Sequence, residues 1–533
     1  MKRVSLSILI LALLFIGRLG GTNHMEYFCR IEGEHNGSNF GSDMVSLDYN
    51  GDGYDDLIAL SLSWHPDGIY EPSTSTGKLY YYMGGPGFNN VADYSFAGSF
   101  SGHYRGYLRN AGDVNGDGRQ DFFCRTGART LPGDEHLSYS LYIYYGKDIP
   151  TDQPDFEMHV PKTGWTQFLV RPLGDINGDG FGDLAIVYQY SASTAPGTLI
   201  KVLLGGSFEE VFFYGQTIRW LVLDGVGDVN GDGIDDIVLS SGVTTDFSFS
   251  LLYGSESFPV LDSLLIFEHY SGYDASFACG VGDVNGDGID DFVPVATKLW
   301  FGSDTISPVW DVDLPAEYFH LGGWMPKMIH GDLNGDGYQD IIGGDYENRE
   351  LVPIWLGSAN FNGTLDLFLA HPLGYGGFQF GWAKAAGDFD GDGNCDLALS
   401  ARWSGASSAF PGDIYVFKGN AELKDTTVSN HDDVSPPVNE SSKWDVLISP
   451  NPVSVNNQDI SIHFIGEGYK KLQNARIELF NIRGQMISDF VVDHVSLASG
   501  QYSTRFDELS SGVYFLKISD MLGRVTSRKF IVK

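Results

Sequence analysis

The sequence predicts an all-β protein, a seven-bladed β-propeller followed by a small β-sandwich, and three observations predict it. A nine-residue segment of the form D-x-[ND]-G-D-G-x-x-D occurs seven times between Asp48 and Asp396. Gly is abundant at 68 residues, short β-prone runs follow the copies, and long apolar helical stripes are hard to find. After Asn420 the composition shifts to a polar stretch containing Pro436 and Pro437, and then to a second set of short strands.

The repeat defines the blades. Its first residues are Asp48, Asp113, Asp175, Asp228, Asp283, Asp332 and Asp388, spaced 49 to 65 residues apart. Apolar runs such as Leu57–Leu60, Leu184–Val187 and Ile237–Leu239 follow directly, and a further strand ends in Gly84, Gly146, Gly205, Gly254, Gly302, Gly357 or Gly419. With the segment before each motif, a unit has room for four strands. One such sheet cannot bury both faces alone, and stacking around a ring gives it two apolar neighbours. A linear solenoid would expose two ends that need caps.

The loop itself reads as a cation site. Positions 1, 3, 5 and 9 carry oxygen-bearing side chains, Gly at 4 and 6 allows a tight left-handed path, and position 7 can add its backbone carbonyl. The candidate ligands are Asp48, Asn50, Asp52, Tyr54 and Asp56 in the first copy, and Asp113, Asn115, Asp117, Arg119 and Asp121 in the second. The third and fourth copies supply Asp175, Asn177, Asp179, Phe181 and Asp183, then Asp228, Asn230, Asp232, Ile234 and Asp236. The fifth and sixth supply Asp283, Asn285, Asp287, Ile289 and Asp291, then Asp332, Asn334, Asp336, Tyr338 and Asp340. The seventh has Asp388, Asp390, Asp392, Asn394 and Asp396, with a carboxylate at position 3.

An all-oxygen set with no Cys or His fits Ca2+ rather than zinc or copper, and the wrapped loop suits magnesium less well. About seven structural Ca2+ are expected. One copy alone leaves a bare turn as the lesser alternative, since Asp, Asn and Gly all favour turns. Seven copies keeping Asp at 1, 5 and 9 argue against a bare turn. An EF-hand needs an acidic residue at position 12. Those positions are Ala59, Cys124, Ile186, Leu239, Pro294, Gly343 and Leu399.

Charge and termini bound the function. The net charge is −36, from 69 acidic and 33 basic residues, which argues against nucleic-acid binding. The acidity belongs to the repeats, because Trp444–Lys533 carries 10 basic and 9 acidic residues. Lys2 and Arg3, the apolar stretch Leu6–Ile16 and small residues Gly20 and Gly21 read as a signal peptide over 1–21. No transmembrane segment is expected in the mature chain. Cys29, Cys124, Cys279 and Cys395 match no zinc or redox spacing, and either disulfides or buried thiols fit them. The domain reading is a propeller over 25–424, a linker over 425–443 and an immunoglobulin-like sandwich over 444–533.

The repeat resembles the FG-GAP repeat of integrin α-subunit propellers and bacterial surface proteins, most closely at Phe380-Gly381 through Asp396-Leu397. The resemblance covers roughly residues 25 to 425 and implies calcium at positions 1, 3, 5, 7 and 9 of each loop. The C-terminal module is similar to the type IX secretion sorting domain, through Ile448–Pro452, Ala475–Gly484, Ser511–Lys517 and the final Phe530–Lys533. That similarity implies recognition by type IX secretion machinery and a place in the medium or on the outer-membrane surface of a Gram-negative, Bacteroidetes-type bacterium.

The expectation is a secreted or surface calcium-binding propeller that binds a protein or glycan ligand. Aromatics in variable segments that could stack on sugars are Tyr104, Tyr107, Trp165, Trp220, Trp310 and Trp324, though packing is the readier reading of each. The competing reading is a calcium-dependent polysaccharide lyase or hydrolase, for which His103, Arg105, Arg109, His320 and His330 are available. Neither H-E-x-x-H nor G-x-S-x-G occurs.

Overall fold

The apolar run after each motif becomes a strand covered on both faces; Asp56–Ser61 is buried at every position. In the computed structural model, continuous runs of this kind occupy the second strand of each blade, where neighbouring sheets cover both sides. The structure describes residues 25–423 apart from 69–73, 105, 128, 131–136, 162–164, 191–196, 217–219, 244–245, 271–277, 296, 316–327, 344–350, 373–378 and 402–410. Beyond residue 444 it describes the strands given below and residues 509–510. The signal segment 1–21 and the linker 425–443 lie outside the described residues.

The chain divides into two compact units, Met1–Ser429 and Asn430–Lys533. The first consists of seven antiparallel sheets, each with four strands in its main path. In the first blade the order is Phe40–Leu47, Asp56–Ser61, Lys78–Tyr82 and Tyr94–Ala97, which is also chain order. The next five blades repeat this plan, beginning at Arg109–Gly112, Trp165–Gly174, Trp220–Gly227, Cys279–Gly282 and Ile329–Gly331.

The seventh blade departs from chain order. It takes three strands from the end of the repeats, Phe380–Gly387, Asp396–Ala401 and Asp413–Lys418. Its fourth is the N-terminal strand Glu26–Glu32, which pairs antiparallel with Asp413–Lys418. This pairing closes the ring and excludes the linear solenoid.

Seven hydrophobic clusters sit at the seven seams between neighbouring blades. Ile58, Leu60, Leu79 and Tyr81 of the first blade meet Phe122, Cys124, Tyr142 and Tyr144 of the second. Ile31 and Val416 of the seventh meet Phe40, Leu57 and Tyr80 of the first. Full burial of one such side chain contributes about 1.5–3 kcal/mol, so the ring is held by its seams rather than by one central core. Each cysteine packs at a different seam, and none is in a disulfide.

The second unit has two antiparallel sheets, as a sandwich expects. One contains Asp445–Ser449, Asp459–Ile465 and Gln501–Arg505. The other contains Met486–Asp493, Asn474–Asn481, Gly512–Asp520 and Val525–Val532. Ile462, Ile477, Leu479, Leu516 and Ile518 are fully buried.

Candidate metal centres

Each motif connects the first and second strands of its blade, so all seven loops lie on the same face of the ring. Within a loop, the first Asp organises the backbone. Asp48 Oδ1 accepts from Gly51 N at 2.8 Å and Asp52 N at 3.0 Å, and its Oδ2 accepts from Gly53 N at 2.9 Å. The bond from the position-6 Gly to the first Asp recurs in every copy. Asn50 Oδ1 accepts from Asp52 N, and Asp52 Oδ1 accepts from Tyr54 N. The side-chain oxygens of positions 1, 3 and 5 are thereby turned toward the loop's own interior.

Two positions have roles that the motif alone does not reveal. Position 2 is always apolar (Tyr49, Val114, Ile176, Val229, Val284, Leu333 and Phe389) and never more than 1% exposed. It pins the loop to a seam. Position 9 is an Asp with no exposed surface in any copy. In the first blade Asp56 Oδ2 accepts from Tyr49 N at 3.1 Å, and Oδ1 accepts from Gly84 N at 2.7 Å. The same pair of bonds is present in the other six. The strand-ending Gly noted in the sequence is explained here. A Cβ on Gly84, Gly254 or Gly302 would lie 2.3–2.4 Å from a carbonyl oxygen of the loop's position 8.

Burial lifts these carboxyls. Desolvation raises Asp56, Asp121, Asp183, Asp236 and Asp396 to about 7, and Asp291 and Asp340 to about 8, partly offset by the backbone hydrogen bonds. A dication beside them would hold them ionised. In the seventh loop one oxygen each from Asp388, Asp390 and Asp392 lies within 4.8 Å of the others. Lys418 Nζ donates to Asp390 Oδ2 there, balancing the extra carboxylate. Carboxylate oxygens keep a lone pair beyond each backbone bond, so the donor set fits a hard cation.

The loops are also joined to one another. In six of the seven loops the N–H at position 8 donates to the position-1 carbonyl of the preceding blade, as Asp235 N does to Asp175 O at 2.9 Å. Asp55 N donates to Asp388 O across the ring closure at 3.3 Å. The position-7 side chain covers the position-4 Gly of the preceding loop. Arg119 lies on Gly51, Phe181 on Gly116, Ile234 on Gly178 and Ile289 on Gly231. Tyr338 lies on Gly286, Asn394 on Gly335, and Tyr54 on Gly391. The sequence assigns position 7 its backbone carbonyl and is silent on the side chain, whose partner lies a whole blade away.

The other sequence candidates are scattered. Tyr104 takes the packing reading and leaves the sugar-stacking set: it is 1% exposed, and Tyr144 Oη donates to its hydroxyl at 3.3 Å. Tyr107 lies under the Arg125 guanidinium, and Trp310 packs on the buried Trp300. The side chains of Trp165 and Trp220, and all of Trp324, Arg105 and His320, lie outside the described residues. Of the enzyme candidates, His103 packs against Phe100 and Tyr104, Arg109 pairs with Asp43 at 2.9 Å, and His330 meets Gln339. Each is engaged with residues outside that set. Among the described residues no helix is long and apolar enough to cross a membrane.

Comparisons with known proteins agree with this anatomy. Residues 48–124, which hold the first two loops, match the FG-GAP-like repeat family. Residues 447–533 match the secretion system C-terminal sorting domain. The chain is 27% identical to integrin alpha-5 of Xenopus laevis over 177 residues, 28% of this chain and 16% of that protein. It is 30% identical to the phosphatidylinositol-glycan-specific phospholipase D of Dictyostelium discoideum over 195 residues, 32% of this chain and 20% of that protein. With integrin alpha-V of Gallus gallus it shares 24% identity over 321 residues, 56% of this chain and 30% of that protein. The matches thus span less than a third of each relative. The chain carries an FG-GAP-type seven-bladed propeller and a type IX sorting domain, the marks of a secreted or surface protein.

Proposed function

We propose that this FG-GAP-type propeller is a calcium-stiffened binding module, sent by its sorting domain to the medium or the outer-membrane surface, where it holds a protein or glycan ligand. About seven Ca2+ occupy the seven loops. In each, positions 1, 3, 5 and 9 supply side-chain oxygens and position 7 its carbonyl. The ion supplies positive charge to a nest of carboxylates that would otherwise repel one another. The chain's own residues do the rest: position 2 anchors the loop, the Gly pair lets it curl, and positions 7 and 8 tie it to the blade before.

The observation that carries this reading is the repetition of one arrangement in all seven blades, with a fully buried Asp at position 9 each time. The leader over 1–21, the linker over 425–443 and passage through a type IX-like system belong to the same proposal. Its test is calcium stoichiometry on the full chain, with melting followed in the presence and absence of EGTA. About seven ions and a marked fall in melting temperature on chelation are expected. A count of none or one with unchanged melting would overturn it.

A further inference from the structure

At six of the seven seams, the turn after the third strand sends a side chain back toward the preceding blade. It is the third or fourth residue after the strand-ending Gly. Phe88 stacks on Phe389 at 5.4 Å, Phe208 on Phe156 at 4.4 Å and Phe258 on Phe213 at 5.7 Å. Phe361 enters the cluster between the fifth and sixth blades. Leu423 takes this place at the next seam, where Met25 joins the same cluster. Between the fourth and fifth blades the position is Ile306, an aliphatic side chain where four other seams carry a ring.

A cavity of about 480 Å³ opens there, lined by Asn230, Asp232, Tyr253, Ser263, Leu264, Asp304, Thr305 and Ile306. That volume lies in the range of small-molecule sites. Tyr253 and Leu264 pack against the seam cluster that contains Ile306, giving the cavity an aromatic and aliphatic side. The remaining groups are an amide, two hydroxyls and two carboxylates, and among the described residues no Lys or Arg lines it. Asp232 is already engaged inside its loop by Ile234 N at 2.9 Å and Asn230 Nδ2 at 3.0 Å. Among the described residues Asp304 is therefore the one lining carboxylate outside the repeated loops.

We propose that this cavity binds a neutral sugar unit, the C–H face of its ring against Tyr253 and its hydroxyls toward Ser263, Asp304 and Thr305. An acidic wall disfavours an anion. With Asp232 held inside its loop, Asp304 beside the hydroxyls of Ser263 and Thr305 suits a polyol better than a basic side chain. The inference rests on the binding-module reading and gives it one ligand class and one address.

The test uses the full chain in calcium. Methyl glycosides of glucose, galactose, mannose and N-acetylglucosamine are titrated, with arginine amide as the basic probe. At least one glycoside is expected to bind. Ile306→Phe, which installs the residue that four other seams carry, should weaken that binding tenfold or more without lowering the melting temperature or the calcium count. Asp304→Asn, a surface change, should weaken it less. Equal glycoside binding by Ile306→Phe would remove the cavity as the site and leave the binding module standing. Binding of arginine amide alone, or of no probe, would overturn the sugar assignment. A calcium count near zero would instead overturn the reading beneath it.

Discussion

The Asp at position 9 of each loop is where burial and charge conflict most sharply. In Asp236, Oδ2 accepts from Val229 N and Oδ1 from Gly254 N, and desolvation still raises the carboxyl to about 7. In the calcium-free protein the folded state therefore binds more protons than the unfolded state above about pH 4. Folding stability falls wherever the unfolded state binds fewer protons. The contribution from this residue and its six equivalents is present at low pH and is lost as pH rises through about 7 to 8. On the proposed role of position 9 as a calcium ligand, the ion would reverse the slope, because the ligand must be ionised to hold it. The EGTA-treated protein should thus melt higher at pH 5 than at pH 8, and the calcium-loaded protein the reverse. Melting scans at several pH values, with and without chelator, check this; parallel pH profiles in the two states would remove the metal from position 9.

At the scale of the loop, the two glycines separate backbone strain from packing. Gly288 has φ +90, and a Cβ there would have nothing within 4 Å, so Gly288→Ala meets only the left-handed penalty of about 1–2 kcal/mol. Gly286 has φ +77, and a Cβ there would lie 2.2 Å from Tyr338 Cε1 of the next blade. Gly286→Ala should therefore cost more than Gly288→Ala, by about 1–3 kcal/mol from overpacking, and Tyr338→Ala should recover part of the difference. Denaturant unfolding of the three variants tests it; equal costs would mean that the interlock between loops contributes nothing.

That contrast also marks what the sequence could reveal. Asp at 1, 5 and 9 and Gly at 4 and 6 are local requirements of a curled loop, so they stand in the pattern of one copy. The apolar position 2 was legible as well, since all seven copies have it, but its meaning depends on the seam behind the loop. Tyr338 above Gly286 was not legible, because the contact is set by the ring and not by chain neighbours. Tyr104 was legible as a packing residue but its partner was not: between two stacked sheets it is buried, and its hydroxyl finds Tyr144.

The whole molecule depends on one pairing of distant segments. Six blades are completed by their own stretch of chain, whereas the seventh waits for Glu26–Glu32. That strand brings Ile31, 2% exposed, into the seam with the first blade. It also brings Arg30, which pairs at 2.8 Å with Asp413, a residue with no exposed surface. Without it, Asp413–Lys418 becomes a bare edge with a row of unpaired backbone groups, a template for association with other chains. Asp413 would also lose the charge of the part-exposed Arg30, a loss below the roughly 3–5 kcal/mol of a fully buried pair, and losing the buried Ile31 adds about 1.5–3 kcal/mol. Deleting residues 25–32 should therefore lower stability by about 3 kcal/mol and turn a discrete species into a concentration-dependent mixture. Thermal unfolding and light scattering after size-exclusion chromatography report both effects. A chain that lacks this strand yet melts unchanged would mean that the ring closes through its seams alone, with the outer strand serving only as cover.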